Sequence, residues 1–374
     1  MPYMDNNFGN PGSLHVLGRS AKAAVDRARE QVAEFMGADS PEQIIFTSGG
    51  SEANNLALYW FENMYFRTEI HPFLVNSRIE HESLIRAADR LVENTHGCQH
   101  ITLSPDDGGI ITIAELEKMT RKCRERPSAV LVSVMSANNE IGTLNPVYGL
   151  CGYSHNQGWL FHTDAVQAAG LYPLNVSQNC YDFVSVSSHK IHGPKGVGAL
   201  YAKSPELIHP LIFGGNHQEF GKRGGTENVA GIVGFGEACR LMSTGYEERR
   251  KFFEALGNTF LASIARNFTR HHLALDSFHI NGEPPDDVKT INLRFDGIDA
   301  QTLLLMLDAQ GVCVSAGSAC TAHEDTPSHV LKAIGLTDEE ARSSIRISFS
   351  HMNTIAEAEQ AAQIIADCVK VLRS

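Results

Sequence analysis

"FVSVSSHKIHGPKG", residues 183–196, is the stretch whose reading decides the fold. Its first half carries no charge and alternates apolar with small residues, as a strand buried on both faces does. Gly193-Pro194 then turns the chain. The strand delivers Ser187, His189 and Lys190 at its carboxyl end. An amine in that place is costly to bury unless it is neutralised, paired or covalently engaged. Burial also lowers a lysine's pKa and frees the amine to attack an aldehyde.

Working outward, "QIIFTSGG" (43–50), "HPFLVNSR" (71–78), "SAVLVSVMS" (128–136) and "GWLFHTDA" (158–165) also read as strands. Helical stretches such as "SAKAAVDRAREQVAEFMG" (20–37) and "SEANNLALYWFENMYF" (51–66) lie between them. That alternation predicts an α/β domain with a mostly parallel sheet covered by helices. Beyond residue 245 the order changes. A long helix (246–268) precedes "TINLRF" (290–295), the helix "DAQTLLLMLDAQG" (299–311), a strand "GVCVSAG" (311–317), "SSIRISFS" (343–350) and a helix from about Thr354. This predicts a smaller α+β domain. The expected boundaries are 16–245 for the large domain, with 1–15 and 246–374 forming the small one.

Composition narrows the function. The 374 residues are 43% hydrophobic and 20% charged, with a net charge of -12. Direct nucleic-acid binding is not expected, because it needs cations to neutralise phosphates. No apolar run has the length of a membrane span, and "MPYMDNNFGN" carries no secretory signal. The eight cysteines are scattered without a CxxC pair. A disulfide framework or a metal site is therefore not expected, and a reducing cytoplasm is the natural compartment. Among them Cys320 stands out, set in the small and polar "SAGSACTAHEDTPSH" (315–329). A free cysteine usually hides in a core.

Ligands of open parallel sheets bind beyond the carboxyl ends of the strands. "FTSGGSE" (46–52) places Gly50 and Ser51 at a helix start, a cup for an anion such as phosphate or simply a serine-capped turn. "FHTDAVQ" (161–167) ends a strand on Asp164, with Gln167 three residues on. That carboxylate either holds a ring nitrogen protonated or caps a helix. A phosphate cup, a strand-end Asp and a buried-strand Lys are together the parts that pyridoxal phosphate requires. A dinucleotide is the weaker reading, since no GxGxxG follows a strand.

These residues resemble the cysteine desulfurases of the NifS/IscS type, within the class V aminotransferase family. The likeness rests on "YMDNN" (3–7), "FGNPGSLH" (8–15), "IIFTSGGSEANN" (44–55), "EHES" (80–83) and "ANNEIG" (137–142). It continues through "HTDAVQ" (162–167), "SSHKIHGPKGVGALY" (187–201), "RGGTEN" (223–228) and "SAGSACTAHEDTPSHVLKAIGL" (315–336). The resemblance implies a pyridoxal-phosphate fold of type I with a seven-stranded sheet, and a homodimer with shared sites. It implies that Lys190 binds the cofactor, Asp164 pairs with its pyridine nitrogen and Gln167 with its ring hydroxyl. His81 would stack on the ring and assist proton transfer, and Asn139 would sit near the ring hydroxyl and the substrate. Gly50, Ser51, Ser187 and His189 would hold the phosphate, and Thr226 would reach the phosphate of the neighbouring subunit. Arg346 would clamp the substrate carboxylate. Without the resemblance, His81 reads as a helix-start residue, Asn139 as a turn residue and Arg346 as a surface charge.

The implied reaction takes sulfur from L-cysteine, releases L-alanine and leaves a persulfide on Cys320. A sulfur-acceptor protein would collect it for iron–sulfur clusters, tRNA thiolation or DNA thiolation. A loop thiol suits such delivery, and a nearby histidine should favour its thiolate, His81 before His323 or His329. The resemblance leaves open selenocysteine lyase, another class V enzyme, and an inactive dimeric relay scaffold. Three departures stand out. Asn7 runs directly into Phe8 where the family has a further turn and helix, "GGNHQEFGKRGGT" (214–226) is one residue longer than usual, and the chain stops at "VLRS".

Overall fold

The computed structural model describes residues 2–68, 71–95, 98–124, 128–285, 287, 289–317 and 326–374. It divides into two compact units. The first spans 1–103, 112–136 and 146–246, and the second 104–111, 137–145 and 247–374.

The first unit contains strands β1 (Ile44–Thr47), β2 (His71–Ser77), β3 (Gln99–Leu103), β4 (Ser128–Ser133), β5 (Leu160–Asp164), β6 (Phe183–Ser187) and β7 (Gly198–Ala202). Its helices are α1 (Pro2–Asp5), α2 (Val16–Met36), α3 (Gly50–Thr68), α4 (Glu82–Asn94), α5 (Ile113–Met119), α6 (Val147–Asn156) and α7 (Val229–Met242). The strands form one sheet in the order β1-β7-β6-β5-β4-β2-β3. Pairing is parallel from β3 through β6, and antiparallel for β6 with β7 and β7 with β1. The sheet is therefore seven-stranded and mostly parallel, as expected. Every residue of β1, β6 and β7 is buried, which accounts for their unbroken apolar and small composition. On one face α3 and α4 pack Leu56, Phe61, Leu84 and Leu91 against Leu74, Leu131, Phe183 and Leu200. Elsewhere α2 meets α7 so closely that a Cβ on Gly236 would lie 2.7 Å from Ala28 Cα.

The second unit has β8 (Phe278–Ile280), β9 (Thr290–Phe295) and β10 (Ser344–Ser348) in an antiparallel sheet, ordered β10-β9-β8. Its helices are α8 (from Tyr246 to Arg270), α9 (Ala300–Ala309), α10 (His329–Ala333), α11 (Asp338–Arg342) and α12 (Ile355–Leu372). In it the rings of Phe268, Phe278 and Phe295 pack against one another, and Phe260 packs edge-on against Phe349.

These units differ from the expected boundaries in two ways. Residues 1–15 fall in the first unit, where α1 meets α7. The loops 104–111 and 137–145 belong to the second, because Glu283 N donates to Gly108 O and Gly142 packs against Thr290 O. "GVCVSAG" (311–317) also differs from its reading as a strand. It pairs at a single bridge, Ser315 with Arg346, and Val312 to Val314 find no ladder. Among the described residues, no helix is long and apolar enough to cross a membrane.

Candidate active site

Three strand ends of the first unit converge. A Cβ on Gly50, the first residue of α3, would lie 2.8 Å from Val166 Cγ2 and 3.6 Å from Ser187 Cβ. The turn after β1, the turn after β5 and the end of β6 therefore share one small space, and glycine is the residue that lets them approach. Gly49 has φ +155 and backs onto Gly198 of β7, where a Cβ would meet Gly49 Cα at 2.8 Å. The amides that open α3 carry the positive end of a 19-residue helix. Ser51 is exposed on that first turn, and Ser187 Oγ lies 2.9 Å from His189 Nδ1. Ser187 ends β6, whereas His189 and Lys190 stand on the short 3-10 turn that follows, at residues 188–191. His189 is exposed and Lys190 half-buried, so the lysine leaves the strand end rather than its interior.

Asp164 ends β5 and is 5% exposed. Its Oδ1 accepts from Val166 N at 2.9 Å, and its Oδ2 accepts from Asn54 Nδ2 at 2.7 Å. Both donors are neutral, which leaves the buried carboxylate without a compensating cation among them. A pyridinium nitrogen is the kind of group this carboxylate suits. Gln167 follows in the turn beyond β5 and is half-buried. The glycine cradle, the serine hydroxyls and Asp164 fit a phosphorylated pyridine ring with an aldehyde for the lysine.

The hydrogen bonds extend from Asp164 to His81. Asn54 Nδ2 also donates to Ser83 Oγ at 3.1 Å, and that hydroxyl lies 2.8 Å from His81 Nδ1. Ser83 N donates to the same Nδ1 at 3.1 Å, making His81 the N-cap of α4. A backbone amide can only donate, so Nδ1 is an acceptor and the neutral ring carries its proton on Nε2. In this geometry His81 offers a hydrogen-bond donor. Accepting a proton requires the ring to leave its cap. The geometry is that of the helix-start reading. Asn54 and Ser83 lie inside "SEANN" and "EHES", yet sequence reasoning did not single them out. Their pairing spans 29 residues and joins two helices.

Two buried groups shape the charge beneath this site. Glu80 is fully buried and its pKa is pushed up to about 8, chiefly by burial and further by the neighbouring Asp164. Burial thus favours the protonated form of Glu80. His162 is pushed down to about 3 by burial and stays neutral between Ser133 Oγ (2.7 Å) and Ser185 Oγ (2.9 Å). It bridges β4, β5 and β6 as a structural pin.

Thr226 is exposed at the end of the 214–226 segment. That segment is anchored by Glu219, 4% exposed, whose carboxylate takes both guanidinium nitrogens of buried Arg29 at 2.7 and 2.8 Å. Phe46 N donates to Glu219 as well, and Phe46 and Phe220 sandwich the guanidinium at 4.6 and 4.9 Å. Glu219 and Phe220 hold φ of +41 and +56, a conformation non-glycine residues rarely adopt, and the buried ion pair keeps them there. Arg223 is tied to Glu52 at 3.0 Å. Burial raises the Glu52 carboxyl, but the Arg223 and Ser48 hydrogen bonds outweigh it and hold the group below its usual range.

The second unit holds Asn139 and Arg346 together. Arg346, in β10, donates from Nη1 to Asn139 O at 3.1 Å. The "ANNEIG" turn is built by its neighbour Asn138, whose Oδ1 accepts from Glu140 N and Ile141 N at 2.8 and 3.0 Å. Cys320 and His323 lie outside the described residues, but the chain on either side of them is well placed. Before them, Ser315 exchanges two backbone hydrogen bonds with Arg346. After them, Ser328 Oγ donates to the buried Glu140 Oε2 at 2.6 Å and caps α10, where half-buried His329 opens the helix. A Cβ on Gly317 would lie 3.8 Å from Ser328 Cβ. Both stems of the Cys320 segment thus close on the pair Arg346 and Glu140.

The aminotransferase class-V family model matches residues 1–360. The IscS 1 protein of Bacillus subtilis (strain 168), described as a cysteine desulfurase, is 39% identical over all of this chain and 94% of its own length. The cysteine desulfurase IscS of Dictyoglomus turgidum is 36% identical over all of this chain and 90% of its own. Among solved structures, a NifS-like protein superposes with a TM-score of 0.86 at 30% identity, over 99% of this chain and 94% of that one. SspA in complex with cysteine gives 0.75 at 31% identity, over 93% and 92%. On the strength of the family model, the full-length identities and the shared fold, this chain belongs to the pyridoxal-phosphate-dependent class V aminotransferase family, in its cysteine desulfurase group.

Proposed function

We propose that this cysteine desulfurase takes sulfur from L-cysteine onto Cys320 and passes it to an acceptor protein. The observation that carries the reading is the closure of both stems of the Cys320 segment on Arg346 and Glu140. It brings the described residues that flank the segment to an arginine suited to a carboxylate. That a structural relative is described in complex with cysteine supports the substrate.

When bound, pyridoxal phosphate supplies an electron sink for charge that develops at the substrate's Cα. Lys190 would hold its aldehyde carbon, and Gly50, Ser51, Ser187 and His189 its phosphate. Asp164 would keep the ring nitrogen protonated, and Gln167 and Asn139 would face the ring hydroxyl. His81, with its proton on Nε2, would donate a hydrogen bond over the ring. Arg346 would take the substrate carboxylate. The Cys320 thiolate then attacks the substrate sulfur, the carbon–sulfur bond breaks, and the substrate carbon gains a proton. One L-cysteine and one thiol thus become L-alanine and a Cys320 persulfide, with atoms and electrons balanced. A second thiol, from the acceptor, takes the outer sulfur.

The proposal includes a homodimer in the cytoplasm, with Thr226 serving the neighbouring subunit's phosphate. Exposed Phe8, Leu14, Val16, Phe213 and Phe220 support a partner surface. Gly12 lies against His217, which brings the two stretches bearing these residues together.

The test is purified holoenzyme given L-cysteine and a dithiol reductant. Sulfide and alanine should appear in equal amounts, and mass spectrometry without reductant should find the persulfide on Cys320. Cys320→Ser should abolish sulfide while keeping the yellow cofactor band, and Lys190→Ala should lose that band. Full sulfide release by Cys320→Ser would overturn the assignment of the thiol.

A further inference from the structure

A group of metal-binding side chains lies far from the cofactor residues. Cys151, His155 and Cys180 bring their sulfur and ring-nitrogen atoms within 4.8 Å of one another. Cys151 and His155 sit four residues apart on α6, so they project from the same helix face. Cys180 reaches them from the turn before β6, and Cys151 Sγ donates to its carbonyl at 3.0 Å. Cys151 is fully buried, whereas His155 and Cys180 keep some exposure to solvent.

The surroundings resemble those of metal-bound histidines. Asp182 Oδ2 lies 2.8 Å from His155 Nε2 and also accepts from Phe161 N at 2.7 Å. Lys203 N donates to the Asp182 carbonyl at 2.8 Å. A carboxylate held by the Phe161 amide, on a residue whose own carbonyl is held by Lys203 N, therefore holds one imidazole nitrogen and leaves the other for a metal. Tetrahedral zinc has sulfur ligands at about 2.3 Å and nitrogen at about 2.0 Å, so its donors stand roughly 3.5 Å apart. The three donors need to close by about 1 Å from their outer limit to reach that spacing.

We propose that Cys151, Cys180 and His155 bind a soft divalent cation of the zinc class, with Asp182 positioning His155 and solvent filling the fourth place. The pattern escapes a sequence search for paired CxxC motifs. Its ligands are a Cys-x3-His on one helix and a cysteine 29 residues further on. The site lies at the amino ends of β5 and β6, next to Phe161 and Asp182, while Asp164 and Ser187 end the same strands at the other side. The ion would clip α6 to the start of both strands and take no part in the sulfur chemistry. Binding exchanges the thiol protons for the cation, with no change of oxidation state.

The test loads reduced holoenzyme with zinc sulfate, dialyses it without substrate, and measures zinc by mass spectrometry alongside an X-ray absorption spectrum. Wild type should retain about one zinc per chain, with two sulfur ligands at about 2.3 Å. Cys151→Ser and Cys180→Ser should lose it, and Cys320→Ser should keep it. Asp182→Asn should weaken binding by about 10–100-fold. His155→Asn, a change at a half-exposed position, should lose zinc but release sulfide from cysteine within about twofold of wild type, and it keeps the test decisive if the cysteine variants fold poorly. No retained zinc, loss of zinc in Cys320→Ser, or a Cys151–Cys180 disulfide in peptide maps of the reduced protein would each overturn the proposal.

Discussion

The proposed cofactor residues of the first unit and the loop base of the second are built by opposite means. Asp164, Ser187 and Gly50 sit at the ends of buried strands or the start of a long helix, and their partners belong to the same rigid layers. Arg346 and Glu140 instead hold the two stems of a segment by a bridge and a single serine hydroxyl. The first arrangement fixes atoms to fractions of an ångström, as preorganised electrostatics requires. The second fixes only where a segment starts and ends. The function proposed above asks for both: a fixed ring and a thiol free to reach it.

The largest effect should come from the deepest anchor. Glu219→Ala leaves Arg29 buried without its carboxylate, and chemical denaturation should show a loss of about 3–5 kcal/mol. A loss below about 1 kcal/mol would mean that the 214–226 segment is held by its apolar contacts alone. Next in size is the chain from Asp164 to His81. Asn54→Ala removes a donor to Asp164 and the link to Ser83, and should lower kcat for sulfide release by about 10–100-fold, equal to roughly 1.4–2.7 kcal/mol. Cofactor content should remain, while the pH profile of kcat shifts as Ser83 and the His81 ring it bonds lose their tie to Asp164. An unchanged profile would make Asn54 a packing residue. Smallest is Ser328→Ala at the loop base. It should cost about 1 kcal/mol of stability through the lost cap. The same variant should slow persulfide formation several-fold and leave the cofactor spectrum as in wild type. If the spectrum changed instead, the contrast between the two regions would fail.

The sequence made the strand ends readable because their chemistry is local. Lys190, Asp164, Gly50 and Ser51 each follow a short apolar run, and alternation of strands with helices predicts the sheet that aligns them. What it hid depended on distance along the chain. Arg29 with Glu219 spans 190 residues, and Asn54 with Asp164 spans 110. Neither pairing leaves a local pattern, since Asn54 reads as a polar helix position and Glu219 as loop charge. "GVCVSAG" misled for the opposite reason. Its branched residues carry the local preference for a strand, but no neighbour supplies a ladder beyond Ser315. The compact units also divide the chain differently from the expected boundaries, because 104–111 and 137–145 join the second by contacts alone.

The anchoring of Gly317 beside Ser328 sets a radius of delivery. Cys320 is three residues past Gly317, and a fully extended chain covers at most about 3.6 Å per residue, so its Cα stays within roughly 11 Å of that stem. A sulfur held on Cys320, as proposed above, would therefore not be carried across the surface to a distant receiver. Under the proposed transfer, an acceptor would have to bring its own thiol to that sphere, and the shape of its tip would become the gate on who is served.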